Sequence, residues 1–228
     1  MRMQLLAAML FVSMTSMAQF AIISDKDGYV NMRSSAALSN NIQDTLHNGR
    51  IVFCYEREGN FYSAEYGKKG ENKTGYVYHD RVKMVMGFER VSAVKSPANT
   101  AKFSNGAVTV TITLQKFDKS KYRITYLKEA PDVVEKINGK YVWGTDGGLP
   151  AMEYKSIQVQ VGSKLITLPA PATENLFEPA TGTTKVNYDR AKDIVYIQSA
   201  NSDGAGYYEV IWRIVNGEYK DKWVVAGF

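Results

Sequence analysis

Cysteine is almost missing from this chain of 228 residues. Cys54 stands alone, so no disulfide can form within the chain. Histidine is nearly as scarce: His47 and His79 are the only two, which leaves little material for a transition-metal centre. Beyond the first 18 residues, no apolar run approaches the roughly 20 residues that a membrane-spanning helix needs. A concentrated basic face is also lacking. Residues 19–87 hold nine Lys and Arg against eight Asp and Glu, and residues 88–228 hold eighteen against fifteen. Apart from Lys68-Lys69 the positive residues are dispersed, so a nucleic-acid partner is not expected. With 45% hydrophobic and 22% charged residues, the composition is that of a globular protein, neither disordered nor fibrous.

The first 18 residues read as a removable export signal. Arg2 supplies the positive start, Leu5 to Val12 the apolar stretch, and Ser16-Met17-Ala18 small residues three and one positions before a cut at Gln19. The apolar stretch is too short to span a bilayer. No cysteine follows the cut, so lipid attachment in the bacterial lipoprotein style is not expected. This reading places the protein in the periplasm or outside the cell. Cys54 lies in the apolar run Ile51-Val52-Phe53-Cys54-Tyr55 and reads as a small buried hydrophobe, not a nucleophile.

The remaining chain reads as strands joined by tight turns. Val108-Thr-Val110-Thr-Ile112-Thr-Leu114 alternates strictly, which places aliphatics on one face and threonines on the other. Asn-Gly recurs at residues 48–49, 105–106, 138–139 and 216–217, and Gly162-Ser163 separates two further alternating runs. Each suits a hairpin turn, because both residue types tolerate positive φ. Helical patterning is confined to short stretches near 131–136 and 173–177. The predicted fold class is therefore all-β: a small barrel over 19–87, then an antiparallel β-sandwich or barrel over 98–228. The turn-rich residues 86–100, including Lys95-Ser96-Pro97-Ala98-Asn99, read as the boundary.

Between residues 21 and 85 an ordered set of motifs appears. It opens with Gly28-Tyr29-Val30-Asn31-Met32-Arg33-Ser34 and continues with Leu46-His47-Asn48-Gly49 before Ile51-Val52-Phe53. The aromatic strand Phe61-Tyr62-Ser63-Ala64-Glu65-Tyr66 follows, and Gly75-Tyr76-Val77 closes the set. This order resembles the extracellular bacterial SH3 (SH3b) family over less than a third of the chain. Tyr62 and Tyr76 stand where that family often has tryptophan, and the charged stretch Lys68 to Lys73 looks like an insertion. The resemblance implies a small barrel that binds peptides or peptidoglycan stem peptides in an aromatic and polar groove. Carried over by position, the groove residues would be Tyr29, Asn31, Arg33, Phe61, Tyr62, Tyr76 and Tyr78. Arg33 would either meet a ligand carboxylate or brace the loop before Asp44. Alternation draws some of the rings into the core, with Phe61 and Tyr76 the first candidates.

Catalytic patterns are sparse. A cysteine peptidase needs a thiolate paired with a histidine, yet residues 88–228 contain neither residue type. No nucleophile elbow with a downstream histidine and no phosphate-cradling glycine loop is present. Glu153, Glu174, Glu178 and Glu209 are available for carboxylate chemistry, but nothing in the sequence singles out a pair. The segments Gly144-Thr145-Asp146-Gly147-Gly148-Leu149-Pro150, Leu176-Phe177-Glu178-Pro179 and Ser202-Asp203-Gly204-Ala205-Gly206-Tyr207 resemble a domain of exported bacterial proteins with no established activity. Asp146 and Asp203 each precede glycine, where a carboxylate either caps a turn or joins a loop site. No metal or cofactor is expected, since a calcium loop would need six to eight oxygens in a denser pattern. Trp212 alternates with Val210 and Ile214 and reads as core.

The expected function is that of a non-enzymatic cell-envelope protein whose SH3-like module binds peptide or peptidoglycan. The alternative is a structural or protein-interaction role, such as inhibition of a wall hydrolase, with an envelope protein partner held by the C-terminal domain.

Overall fold

The computed structural model describes residues 18–227; the export signal expected over residues 1–18 lies outside them except for Ala18, as does Phe228. The described residues contain strands and short 3-10 turns and no α-helix. Their contacts divide the chain into two compact units, one of Gln19 with residues 23–82, the other of Phe20–Ile22 with the chain from Lys83 onward.

The first sheet comprises β1 (Gln19–Ile23), β2 (Tyr29–Arg33), β3 (Ile42–His47), β4 (Ile51–Glu58), β5 (Phe61–Lys68), β6 (Glu71–Tyr78) and β7 (Val82–Met84). The strands lie in the order β3-β2-β6-β5-β4-β1-β7, and the sheet curls into a half-barrel. Val30, Met32, Leu46, Val52, Phe53, Ala64, Tyr66 and Val77 fill the smaller unit's interior. Cys54 is 1% exposed among them, and burial pushes its thiol up to about 12, so it packs as a small hydrophobe. Gly75 serves close approach: a Cβ there would stand 2.4 Å from Gln43 Nε2 and 3.0 Å from the Arg33 carbonyl oxygen, where β2 meets β6. The stretch Lys68 to Lys73 is the tip of the β5–β6 hairpin. Lys69 and Gly70 both take positive φ, as a two-residue turn matched to strand twist requires.

The larger unit is built on β8 (Glu89–Val94), β9 (Thr100–Ser104), β10 (Val108–Lys116), β11 (Ile124–Tyr126), β12 (Val134–Ile137), β13 (Lys140–Tyr141), β14 (Met152–Val161), β15 (Lys164–Thr167), β16 (Lys185–Asp189), β17 (Ile194–Asn201), β18 (Tyr208–Val215) and β19 (Glu218–Val225). Nine of them form a nearly closed barrel in the order β15-β14-β10-β9-β8-β16-β17-β18-β19, and β11-β12-β13 make a small separate sheet. The alternation in β10 is obeyed: Val108, Val110 and Ile112 are fully buried while Thr109, Thr111 and Thr113 are half-exposed. Trp212 is fully buried, and its indole N–H donates to the Ala172 carbonyl at 2.7 Å.

Two features differ from the sequence reading. Residues 86–100 are no linker, because β8 lies in the middle of the nine-stranded sheet. Its Val91 is 1% exposed, paired with Val186 and packed in the main core. With three exposed neighbours after Val91, the strand hides its period, and Pro97 and Asn99 turn the chain only after it. Second, the four Asn-Gly pairs do different jobs. At 138–139 and 216–217 both residues have positive φ and close the β12–β13 and β18–β19 hairpins. At 48–49 and 105–106 only the glycine does. Asn105 instead accepts the N–H groups of Ala107 and Val108, and Asn48 exchanges two hydrogen bonds with the Asp25 backbone.

A charge at the centre of β8 should therefore cost far more than a linker substitution would. Val91→Asp is expected to lower stability by about 3 kcal/mol or more, read from urea denaturation of the full chain. Limited proteolysis within 89–94 should yield no folded fragment beginning there.

Candidate functional site

β2 sends its side chains to two sides. Val30 and Met32 enter the core, while Tyr29, Asn31 and Arg33 face outward. These three, with Tyr78 at the end of β6, line a groove of about 410 Å³ on the smaller unit. Asp27, Leu38, Asp80 and Arg81 complete its walls.

Tyr29 is 45% exposed and meets the His47 ring edge-on, with centroids 6.4 Å apart. Tyr78 packs edge-on against Phe61 at 5.1 Å and stacks on His79 at 5.3 Å. Both tyrosines present flat apolar area with a polar tip, the combination that suits mixed peptide surfaces. Arg33 braces the loop before Asp44, one of the two roles expected of it. Its Nη1 donates to the Ser39 carbonyl at 2.9 Å and to Asn41 Oδ1 at 2.8 Å. Asn41 in turn donates to the carbonyls of Ser35 and Ala37. The loop so shaped holds Leu38, which is 72% exposed, at the rim of the groove.

Charge is uneven along the groove. The Arg81 guanidinium ion-pairs with Asp25 and lies 3.2 Å from Asp80 and 3.9 Å from Asp27, so three carboxylates surround one cation. The Asp27 backbone N–H, and then Arg81, hold the Asp25 carboxyl below its ordinary value of 3.8. Arg33 lines the groove as a second cation, and among the described residues it forms no ion pair.

The other three candidates do not join this groove. Phe61 is 4% exposed and belongs to the core, a correction to its place among the ligand residues. Register separates the remaining two: Tyr62 pairs with Val77, and Tyr76 pairs with Ser63, so the two rings leave opposite faces of the hairpin. The Tyr76 phenol is raised above its ordinary value by the Glu58 carboxylate. Sequence reasoning missed Asp27, Leu38, Asp80 and Arg81, which lie on turns and loops outside the strand motifs. The Asp-Gly pair at 27–28 was the only local signal among them.

The larger unit brings Asp146 and Asp203 together, with Glu178, around an opening of about 610 Å³. Gly144 N–H donates to the Gly206 carbonyl at 3.1 Å and Ser202 Oγ to the Gly144 carbonyl at 2.9 Å, which ties the two glycine-rich loops. Asp146 lies so close over Gly206 that a Cβ there would stand 2.9 Å from its Oδ1. Glu178 Oε1 accepts the N–H groups of Ala151 and Met152. Glu178 thereby clasps the chain at Ala151 and Met152, whereas the Asp203 side chain makes no hydrogen bond to the turn that follows it. Among the described residues no group of three or more His, Cys, Asp or Glu could hold a metal ion.

No relative answers to this geometry. The chain matches no protein-family model, no curated protein and no solved structure. The groove residues therefore stand on their own chemistry.

Since Asp25 titrates below its unfolded value, its contribution to stability is full above about pH 4 and is lost as pH falls through the folded value. Asp25→Asn should destabilise the protein at neutral pH, and the gap to the parent should shrink as pH falls below the ordinary value of 3.8. Denaturant midpoints across that range provide the check.

Proposed function

We propose that this is an exported, non-enzymatic cell-envelope protein whose smaller unit, an SH3-like module, binds peptide or the stem peptides of peptidoglycan. The observation that carries this reading is the gathering of Tyr29, Asn31, Arg33 and Tyr78 in one groove. Two tyrosine faces would cover apolar parts of a peptide, and Asn31 would meet its backbone. Arg33 would attract a carboxylate at one place, while the excess of carboxylates around Arg81 would attract an amine at another. A peptide carrying both charges fits such a surface better than a uniformly charged polymer does. Support for a non-enzymatic role comes from the buried thiol of Cys54 and from the lack of histidine and cysteine beyond residue 87.

A second reading, docking of an envelope protein on the larger unit, is favoured by the exposure of Tyr126, Tyr141 and Leu149, at 43%, 68% and 42%.

Sedimentation with purified peptidoglycan distinguishes the two. The parent protein is expected to co-sediment, and Tyr29→Ala/Tyr78→Ala to bind about 10-fold more weakly, as loss of about 1.4 kcal/mol from anchoring rings implies. Tyr62→Ala, on the other face, should bind like the parent. A folded parent protein that leaves the wall in the supernatant, and cross-links to a protein instead, would sink the first reading.

A further inference from the structure

Glu153 was one of four unremarkable acids in the sequence, and its surroundings in the larger unit set it apart. It starts the second position of β14, is 3% exposed, and lines a cavity of about 300 Å³. Its carboxylate accepts hydrogen bonds from Gln115 Nε2, at 2.6 Å, and from the Tyr122 hydroxyl. Both donors are neutral. Among the described residues no Lys, Arg or His forms an ion pair with it, although ten ion pairs are formed elsewhere. Glu174, the other acid on the cavity wall, is already paired with Lys140.

A carboxylate withdrawn from water ordinarily needs a countercharge, because two neutral hydrogen bonds replace only part of its hydration. The rest of the wall indicates the form of that countercharge. Ile137, Leu176 and Phe177 give apolar sides, and Tyr122 and Phe177 contribute rings whose faces attract cations. Asn175 adds an amide oxygen able to accept N–H groups, and Asn138 Oδ1, which accepts the Arg123 N–H at 2.9 Å, keeps one further lone pair. The volume lies at the lower end of small-molecule sites. No metal centre is assembled there: among the described residues no group of three or more His, Cys, Asp or Glu comes together, and Glu174 is already paired with Lys140.

We propose that this cavity binds a small primary alkylammonium compound, with its charged group against Glu153 and its carbon chain along Ile137, Leu176 and Phe177. The site is separate from the peptide groove and stands whether or not that reading holds. Three alternatives are disfavoured by the same wall: an anion meets Glu153, a metal ion finds two carboxylates of which Glu174 is already paired with Lys140, and a purely apolar ligand leaves the Glu153 carboxylate unpaired.

Titration of the full chain with n-pentylammonium, followed by NMR shifts of the Tyr122 and Phe177 rings, tests this. Saturable binding is expected, at least about 10-fold tighter than that of 1-pentanol, a neutral molecule of similar shape. Glu153→Gln should remove that preference while near-UV circular dichroism stays unchanged. Thr173→Phe, which fills the cavity and leaves the carboxylate in place, should abolish binding, and it serves if the first variant fails to fold. Tyr29→Ala/Tyr78→Ala should bind the amine as the parent does. Equal binding of the amine and the alcohol, absence of saturable shifts, or a Glu153 carboxyl that proves protonated at pH 7 by 13C NMR would each overturn the proposal.

Discussion

β8 gives one half of its length to each side of the barrel. Glu89 to Val91 pair with β16, and Ser92 to Val94 pair with β9. A strand that changes partner midway makes a corner, which lets one continuous sheet turn and enclose its own apolar face. Without that exchange, β15-β14-β10-β9 and β16-β17-β18-β19 would be two open sheets, each with edges and a wet hydrophobic side. In a protein with a single cysteine, that closure takes the place of covalent staples.

Inside the barrel a few hydroxyl and amide groups fasten the long connection between β15 and β16. Trp212 holds the carbonyl of Ala172, and the Tyr208 hydroxyl holds that of Phe177 at 2.9 Å. Asn201 Oδ1 accepts from the Ala180 N–H at 2.9 Å and from the Tyr154 hydroxyl at 3.2 Å. Burial of these groups is tolerable because each is satisfied, and the satisfied network fixes the segment's path. That path gives the Glu153 cavity its Thr173, Leu176 and Phe177 wall. The cavity and the core thus share supports, so substitutions in the network would alter both.

The strands were readable wherever one face is buried and the other wet, as in β10 and in the Asn216-Gly217 hairpin, because burial then imprints period two on the sequence. β8 escaped for the opposite reason, since five of its six residues are exposed and only Val91 enters the core. In the groove, β2 was legible through alternation, which correctly left Tyr29, Asn31 and Arg33 outside. Tyr62 and Tyr76 were carried over by motif position, and only the β5–β6 register shows that they leave opposite faces. For Arg33 the bracing of the loop before Asp44 was one of two readings, and only the structure names its partners, Ser39 and Asn41, because that loop has no periodic pattern to read.

The sequence by itself determined an all-β chain without disulfide staples, with a buried thiol at Cys54 and tight turns at its glycines, because these follow from composition and local backbone preference. Only the tertiary structure decided which outward residues share a groove, where the sheet turns its corner, and that Glu153 is enclosed without a cation. Those outcomes depend on register and on contacts between distant segments, such as Gln115 and Tyr122 with Glu153, and local periodicity carries no record of them.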